Sequence, residues 1–104
     1  MSLKKQFFKT KDTCKVKFSL PEEAVVGAKK VTIVGDFNSW DQTLGIPMKL
    51  KGGQYMASVD LPVGIEFQFR YLIDDKIWEN DWAADKYVKT PLGVENSVVS
   101  TVKE

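Results

Sequence analysis

One hundred and four residues suffice for one hydrophobic core and not for two, so a single domain over residues 1–104 is expected. Hydrophobic residues are 43% and charged residues 28%, and fifteen Lys+Arg against fourteen Asp+Glu leave +1, which argues against nucleic acid or a membrane as partner. With no histidine and a single cysteine, Cys14, the chain lacks Ser-His-Asp and Cys-His catalysis, an intrachain disulfide and a cysteine-cluster zinc site.

No cofactor or metal is expected, and the lone thiol is compatible with a cytoplasmic location. No apolar run approaches the roughly 20 residues of a membrane span. Met1-Ser2-Leu3-Lys4-Lys5-Gln6 lacks the apolar core of a signal peptide. The informative excess is aromatic: six Phe, three Tyr and three Trp.

In chain order, Gln6 to Lys9 reads as a weak first strand. Cys14, Val16, Phe18 and Leu20 alternate with Lys15, Lys17 and Ser19, a half-buried strand stopped at Pro21. Glu22 to Val26, ended by Gly27, is about one helical turn, as is Asp81 to Asp85, and neither is long enough to stand alone. Val31-Thr32-Ile33-Val34 is β-branched or aliphatic throughout and reads as a central strand. Pro47 to Lys51 is a short strand, and Gly52-Gly53 turns it into Gln54 to Leu61. Phe67, Phe69, Tyr71 and Ile73 alternate with Gln68, Arg70 and Leu72 before Asp74-Asp75 turns the chain into Lys76 to Glu79. Asn96 to Val102 is the last strand. Seven or eight short strands predict an all-β, immunoglobulin-like sandwich, with a small barrel as the alternative. Its core is expected from Val16, Phe18, Leu20, Ile33, Tyr55, Val59, Phe67, Phe69, Tyr71 and Val99, with Cys14 inert on the same face.

Trp40 belongs to no alternating set. It ends the turn-rich segment Gly35-Asp36-Phe37-Asn38-Ser39-Trp40, where it is either a lid folded onto the core or an exposed platform. Trp78, just after the aspartate turn, poses the same choice, and Trp82 lies in a polar irregular stretch. Pleating sends Arg70 outward if Phe69 and Tyr71 point in. A guanidinium beside exposed rings suits a sugar, whose C–H patches lie on rings while its hydroxyls meet donors. Asp74, Asp75, Glu79, Asp81 and Asp85 could hold a hydrolase pair, but turn chemistry accounts for them more simply.

Residues 31–40, Val-Thr-Ile-Val-Gly-Asp-Phe-Asn-Ser-Trp, resemble the V-x-x-x-G-x-F-N-x-W signature of carbohydrate-binding family 48, the isoamylase N-terminal or early-set domains. This family includes the glycogen-binding domain of the AMP-activated protein kinase beta subunit. The similarity continues through Leu61-Pro62-Val63-Gly64, Phe69-Arg70-Tyr71-Leu72-Ile73-Asp74, Trp78 and Leu92-Gly93-Val94-Glu95-Asn96, about residues 14–102. The resemblance implies non-catalytic binding of α-1,4-linked glucan: glycogen, starch or maltooligosaccharides. By residue, it implies stacking on Trp40 and Trp78, which grip the chain between them. It also implies hydrogen bonds from Arg70 and Asn96, and Leu92 inserted into the curl of the glucan. Trp82 is an additional aromatic, a further platform. The sequence departs from the family at Asp75, where Gly is commoner, in one extra residue before Trp78, and at Val94, where a hydroxyl is expected. A module that docks onto a glucan-metabolising enzyme or another protein is the alternative. No catalytic barrel follows the last strand, so kinship with amylolytic enzymes implies no activity of this chain.

Overall fold

The computed structural model describes residues 1–103. Ten strands build it: β1 Ser2–Phe7, β2 Thr13–Pro21, β3 Val31–Gly35, β4 Ile46–Pro47, β5 Lys49–Lys51, β6 Gln54–Pro62, β7 Glu66–Ile73, β8 Ile77–Glu79, β9 Lys86–Lys89 and β10 Glu95–Ser100. They pair antiparallel in two sheets, β1-β2-β6-β5 and β4-β3-β7-β10-β9, with β8 joined to β7. The all-β sandwich expected from the alternation is present. Among the described residues no helix is long and apolar enough to cross a membrane.

Period-two patterning places the core. Cys14, Val16, Phe18 and Leu20 on β2 are fully buried, while Lys15 and Lys17 between them are exposed. They meet Phe67, Phe69, Tyr71, Val99, Ile33 and Tyr55 between the sheets. Phe18 meets Phe69 edge-on at 5.2 Å, and Phe69 meets Tyr71 at 5.7 Å. Such aromatic pairs contribute about 0.5–1.5 kcal/mol beyond their area. Val59, expected in the core, is only partly buried and packs against it. Burial pushes the Cys14 thiol up, away from its reactive form.

Several boundaries differ from the alternation. The first strand is Ser2–Phe7 instead of Gln6–Lys9, because Leu3 to Phe7 pair with Phe18 to Cys14 and Phe8 onward is left to turn. The expected strand Pro47 to Lys51 is two strands in different sheets. β4 pairs with β3, β5 pairs with β6, and Met48 is buried at the crossing with its N–H on the Val31 carbonyl at 2.9 Å. β9 was not expected; it exists through its pairing with β10. Glu22–Val25 is a 3-10 turn, and residues 81–85 form turns instead of a helical one.

Gly35 is where β3 and β7 touch. A Cβ there would lie 2.4 Å from the Gln68 carbonyl oxygen and 2.8 Å from the Phe69 Cβ, so no side chain fits. Val34, Leu72 and Val98 are also buried, but they lie outside the inter-sheet cluster, on the opposite face of the larger sheet. Something covers that face, and the covering elements make the site.

Candidate functional site

The first covering element is the segment after β3. Asp36–Asn38 forms a 3-10 turn, and the next two residues are left-handed, Ser39 at φ 56° and Trp40 at φ 57°. For non-glycine residues this backbone is costly, on the order of 1–3 kcal/mol, and persists only where neighbours over-determine it. They do so here. The Trp40 N–H donates to the Gly35 carbonyl at 2.9 Å. Asn38 Oδ1 accepts from the Gly35 N–H at 2.9 Å, and its Nδ2 donates to the Ile33 carbonyl at 3.0 Å. Phe37 packs against Phe18 and Phe67 as the anchor of the segment.

Asp36 fixes the ring. One carboxylate oxygen accepts the Trp40 indole N–H at 2.9 Å, and the other accepts the Gln68 backbone N–H on β7 at 2.7 Å. The following turn, Gln42–Leu44, is capped by Asp41, which accepts from the Thr43 hydroxyl and N–H; those bonds hold the Asp41 carboxyl below its usual range.

Trp78 comes from β8, opposite the outward Leu72. The hairpin that carries it is pinned at its turn. Asp74 and Asp75 both have positive φ, a geometry that aspartate tolerates better than most residues. Asp74 Oδ1 accepts the Lys29 and Lys30 backbone N–H groups at 2.8 and 2.9 Å. These bonds hold the Asp74 carboxyl below the usual range.

The two indoles are neighbours, with centroids 6.3 Å apart and planes tilted by 50°. Rings at that distance touch one another. A sugar sandwiched between two faces would need a contact distance of about 3.5–4 Å on each side. At this distance and tilt Trp40 and Trp78 form one angled wall.

Arg70 points outward, as pleating requires, and is half-buried. Its Nε donates to Asn96 Oδ1 at 2.6 Å, and Asn96 Nδ2 donates to Gln68 Oε1 at 3.0 Å. Among the described residues the rest of the guanidinium has no protein partner. The hairpin between β9 and β10 closes through the Thr90 N–H on the Val94 carbonyl and the Gly93 N–H on the Thr90 carbonyl. It lifts Leu92 to 89% exposure. A leucine so exposed gains nothing for the free fold.

All five residues singled out in the sequence, Trp40, Arg70, Trp78, Leu92 and Asn96, line one open groove of about 340 Å³, together with Thr90, Pro91 and Val94. Val94 contributes an apolar wall where a hydroxyl was expected. Thr90 and Pro91 gave no sequence signal beyond turn chemistry. Gln68 and Asp36 were also missed: Gln68 accepts from the distant Asn96, and Asp36 joins the nearby Trp40 to the distant Gln68, pairings that only the fold makes. Trp82 is 65% exposed and lies outside this lining, its backbone N–H directed to the Met1 sulfur at 3.0 Å. A larger depression, about 520 Å³, is elsewhere, and the ion pairs Lys5–Asp85 and Lys86–Glu66 lie along it. Its charges are already neutralised, and Phe7 is the one aromatic residue in its lining, without a second ring or a free donor beside it.

Asp75, Asp81 and Asp85 serve the fold. Asp81 is sealed from solvent and accepts the Tyr71 hydroxyl at 2.6 Å and the Ala83 N–H at 2.7 Å. Burial and the Asp81 charge push the Tyr71 hydroxyl far above its ordinary value. Asp85 pairs with Lys5 and accepts the Ser100 N–H, and Asp75 pairs with Lys30. Among the described residues no group of His, Cys, Asp and Glu could hold a metal ion.

Rings for C–H patches beside fixed donors for hydroxyls define the class of sugar-recognition modules. A family model described as the glycogen recognition site of AMP-activated protein kinase matches residues 23–103, and the chain belongs to that family. Carbohydrate binding is accordingly its class of function. No curated protein sequence matches the chain. Among solved structures, the enterobactin esterase FES from Shigella flexneri superposes on 95% of this chain with a TM-score of 0.72 and 12% identity. At that identity the likeness is one of fold. The chain spans 32% of the esterase, so the activity of the larger protein does not transfer with the fold.

Proposed function

We propose that the protein is a non-catalytic module that binds α-1,4-linked glucan. The supporting observation is the convergence of Trp40, Arg70, Trp78, Leu92 and Asn96, scattered along the chain, on one groove. A curved glucan lies along the angled indole wall, one sugar face against each ring. The free N–H groups of Arg70 meet hydroxyls, with Asn96 holding the guanidinium in place and Leu92 filling the curl. Trp82, outside the groove, meets only a longer chain. Each ring contributes on the order of 0.5–1.5 kcal/mol beyond its area, so binding is weak and reversible, as suits a repeating polymer.

The chain brings no hydrolytic machinery to this groove. It lacks histidine, and Cys14 and Asp81 are buried. Its function is to bring something to the glucan, and a glucan-metabolising enzyme is the partner that such a module serves. A cytoplasmic location belongs to the same proposal: the single thiol is buried and needs no oxidising compartment.

Native electrophoresis through a glycogen-containing gel tests the proposal. The wild type should be retarded, and Trp40→Ala, Trp78→Ala and Leu92→Ser should run as in a plain gel. A wild type that migrates equally in both gels refutes it.

A further inference from the structure

We propose that the outer face of the four-stranded sheet docks the acidic surface of a protein partner while the groove on the other sheet holds glucan. The chain as a whole is nearly neutral, but that face is not. β2 sends Cys14, Val16, Phe18 and Leu20 into the core, so Lys15 and Lys17 point away from it. Register brings Lys4 opposite Lys17, while Lys49 and Lys51 share the face by pairing with Met56 and Gln54. All five lysines are exposed, and Asp60, opposite Lys15, is the one carboxylate on the face among the described residues. Among the described residues none of the five takes part in an ion pair.

Edge protection accounts for part of this pattern, since lysine on an edge strand discourages strand-to-strand association. Lys4 on β1 and Lys49 and Lys51 on β5 sit on such edges. Lys15 and Lys17 do not: β2 is an inner strand. Like charges directly opposite each other, as in Lys4 and Lys17, destabilise the free sheet. A cost to the free fold on an inner strand points to a use in a complex.

The shape selects the occupant. Next to the lysines is an apolar depression of about 480 Å³, lined by Ile46, Pro47, Met56 and Ala57 and rimmed by Lys49 and Lys51. It meets a smaller groove between Lys4, Lys15 and Lys17 at Ser58. A membrane-binding face presents protruding apolar side chains, whereas this one recesses them. Single-stranded nucleic acid calls for aromatic platforms, and the outward positions of these four strands carry none. Acidic side chains flanking an apolar one match the basic, apolar and basic surfaces in order. The two sheets lie back to back, so this face and the glucan groove can be occupied together.

A fluorescently labelled glutamate-rich peptide with one central leucine is the probe, followed by anisotropy at about 20 and about 200 mM salt. The wild type should bind at low salt and weaken at high salt. Lys15→Glu combined with Lys17→Glu should bind at least roughly tenfold more weakly. The same variant should melt near the wild-type temperature, because relief of the Lys4–Lys17 repulsion offsets the new repulsion between position 15 and Asp60, and should keep its retardation by glycogen. A glutamate peptide without the leucine should bind less tightly than the first. Equal binding of the first peptide by wild type and variant overturns the proposal, as does tighter binding to phosphatidylserine vesicles or duplex DNA than to peptide. Loss of glycogen retardation in the wild type bears on the groove alone and is a separate result.

Discussion

Replacing Asp36 with Asn tests whether the indole wall is preorganised. The Asp36 carboxylate accepts two donors at once, the Trp40 indole N–H at 2.9 Å and the Gln68 backbone N–H at 2.7 Å. Asparagine offers one oxygen and one NH2, so either orientation sets a donor against a donor. The backbone N–H is held within β7 and the indole is not, so the amide oxygen turns to Gln68 and Trp40 loses its tether. The bond is solvent-exposed, which puts its net contribution to stability at about 1 kcal/mol or less. The larger effect is on binding. A freed indole must be re-ordered by the ligand at about 0.5–1.5 kcal/mol, which weakens affinity roughly 2- to 12-fold. Trp40→Ala is a harsher change. One indole face removed from water is roughly a third of the ring's surface, about 1.5 kcal/mol, and the stacking increment raises the loss to about 2–3 kcal/mol, or roughly 30- to 150-fold. Titration calorimetry with maltoheptaose measures both variants, and the indole N–H proton resonance reports whether the tether is broken. Wild-type affinity in Asp36→Asn with a shifted indole proton would show that the tether does not preorganise the wall. A loss as large as that of Trp40→Ala would mean that Asp36 itself touches the sugar.

Three further outcomes follow from the packing. Gly35→Ala should lower stability by about 2–3 kcal/mol and the melting temperature by roughly 10–20 °C in a circular-dichroism melt, because its Cβ collides with the backbone of β7; a negligible shift contradicts this. The Gly35 backbone is extended at φ −173°, so the cost is steric and not conformational. Tyr71→Phe keeps the core ring but strips the buried Asp81 of its hydroxyl donor, and should cost about 1.5–3 kcal/mol in urea unfolding. Asp74 has a carboxyl held below its ordinary value of 3.8 by the Lys29 and Lys30 N–H groups. Its stabilising effect is present above the unfolded-state value and fades as pH falls through the lower folded-state one. Asp74→Ala should therefore be less stable than wild type at neutral pH, with the gap narrowing as pH falls below the ordinary carboxylate range. A gap that widens on acidification contradicts the sign.

The legibility of the fold was uneven, for local reasons. β2 and β7 were readable because a one-residue slip would put Lys15 and Lys17, or Gln68 and Arg70, into the core. β9 was not, since Lys86-Tyr87-Val88-Lys89 has no alternation to mark it and becomes a strand by pairing with β10. The division of Pro47 to Lys51 was hidden for a related reason: Met48 is the point at which the chain changes sheets, and residue type does not record which sheet a neighbour joins. At the site, Trp40, Trp78 and Arg70 stood out as residues the core did not need. Asp36 and Gln68 did not, because their effect is to orient other groups across the sheet.

Sequence alone determined the alternation that makes a sandwich, the glycines and aspartates that turn the chain, and the absence of imidazole and of a second thiol. These are properties of single residues and their spacing. Tertiary structure alone decided that two indoles far apart in the chain touch at 50° instead of facing each other, and that lysines from three strands share one outer face. Ring angles and surface charge arise from which strands become neighbours, and that is settled by packing over the whole core.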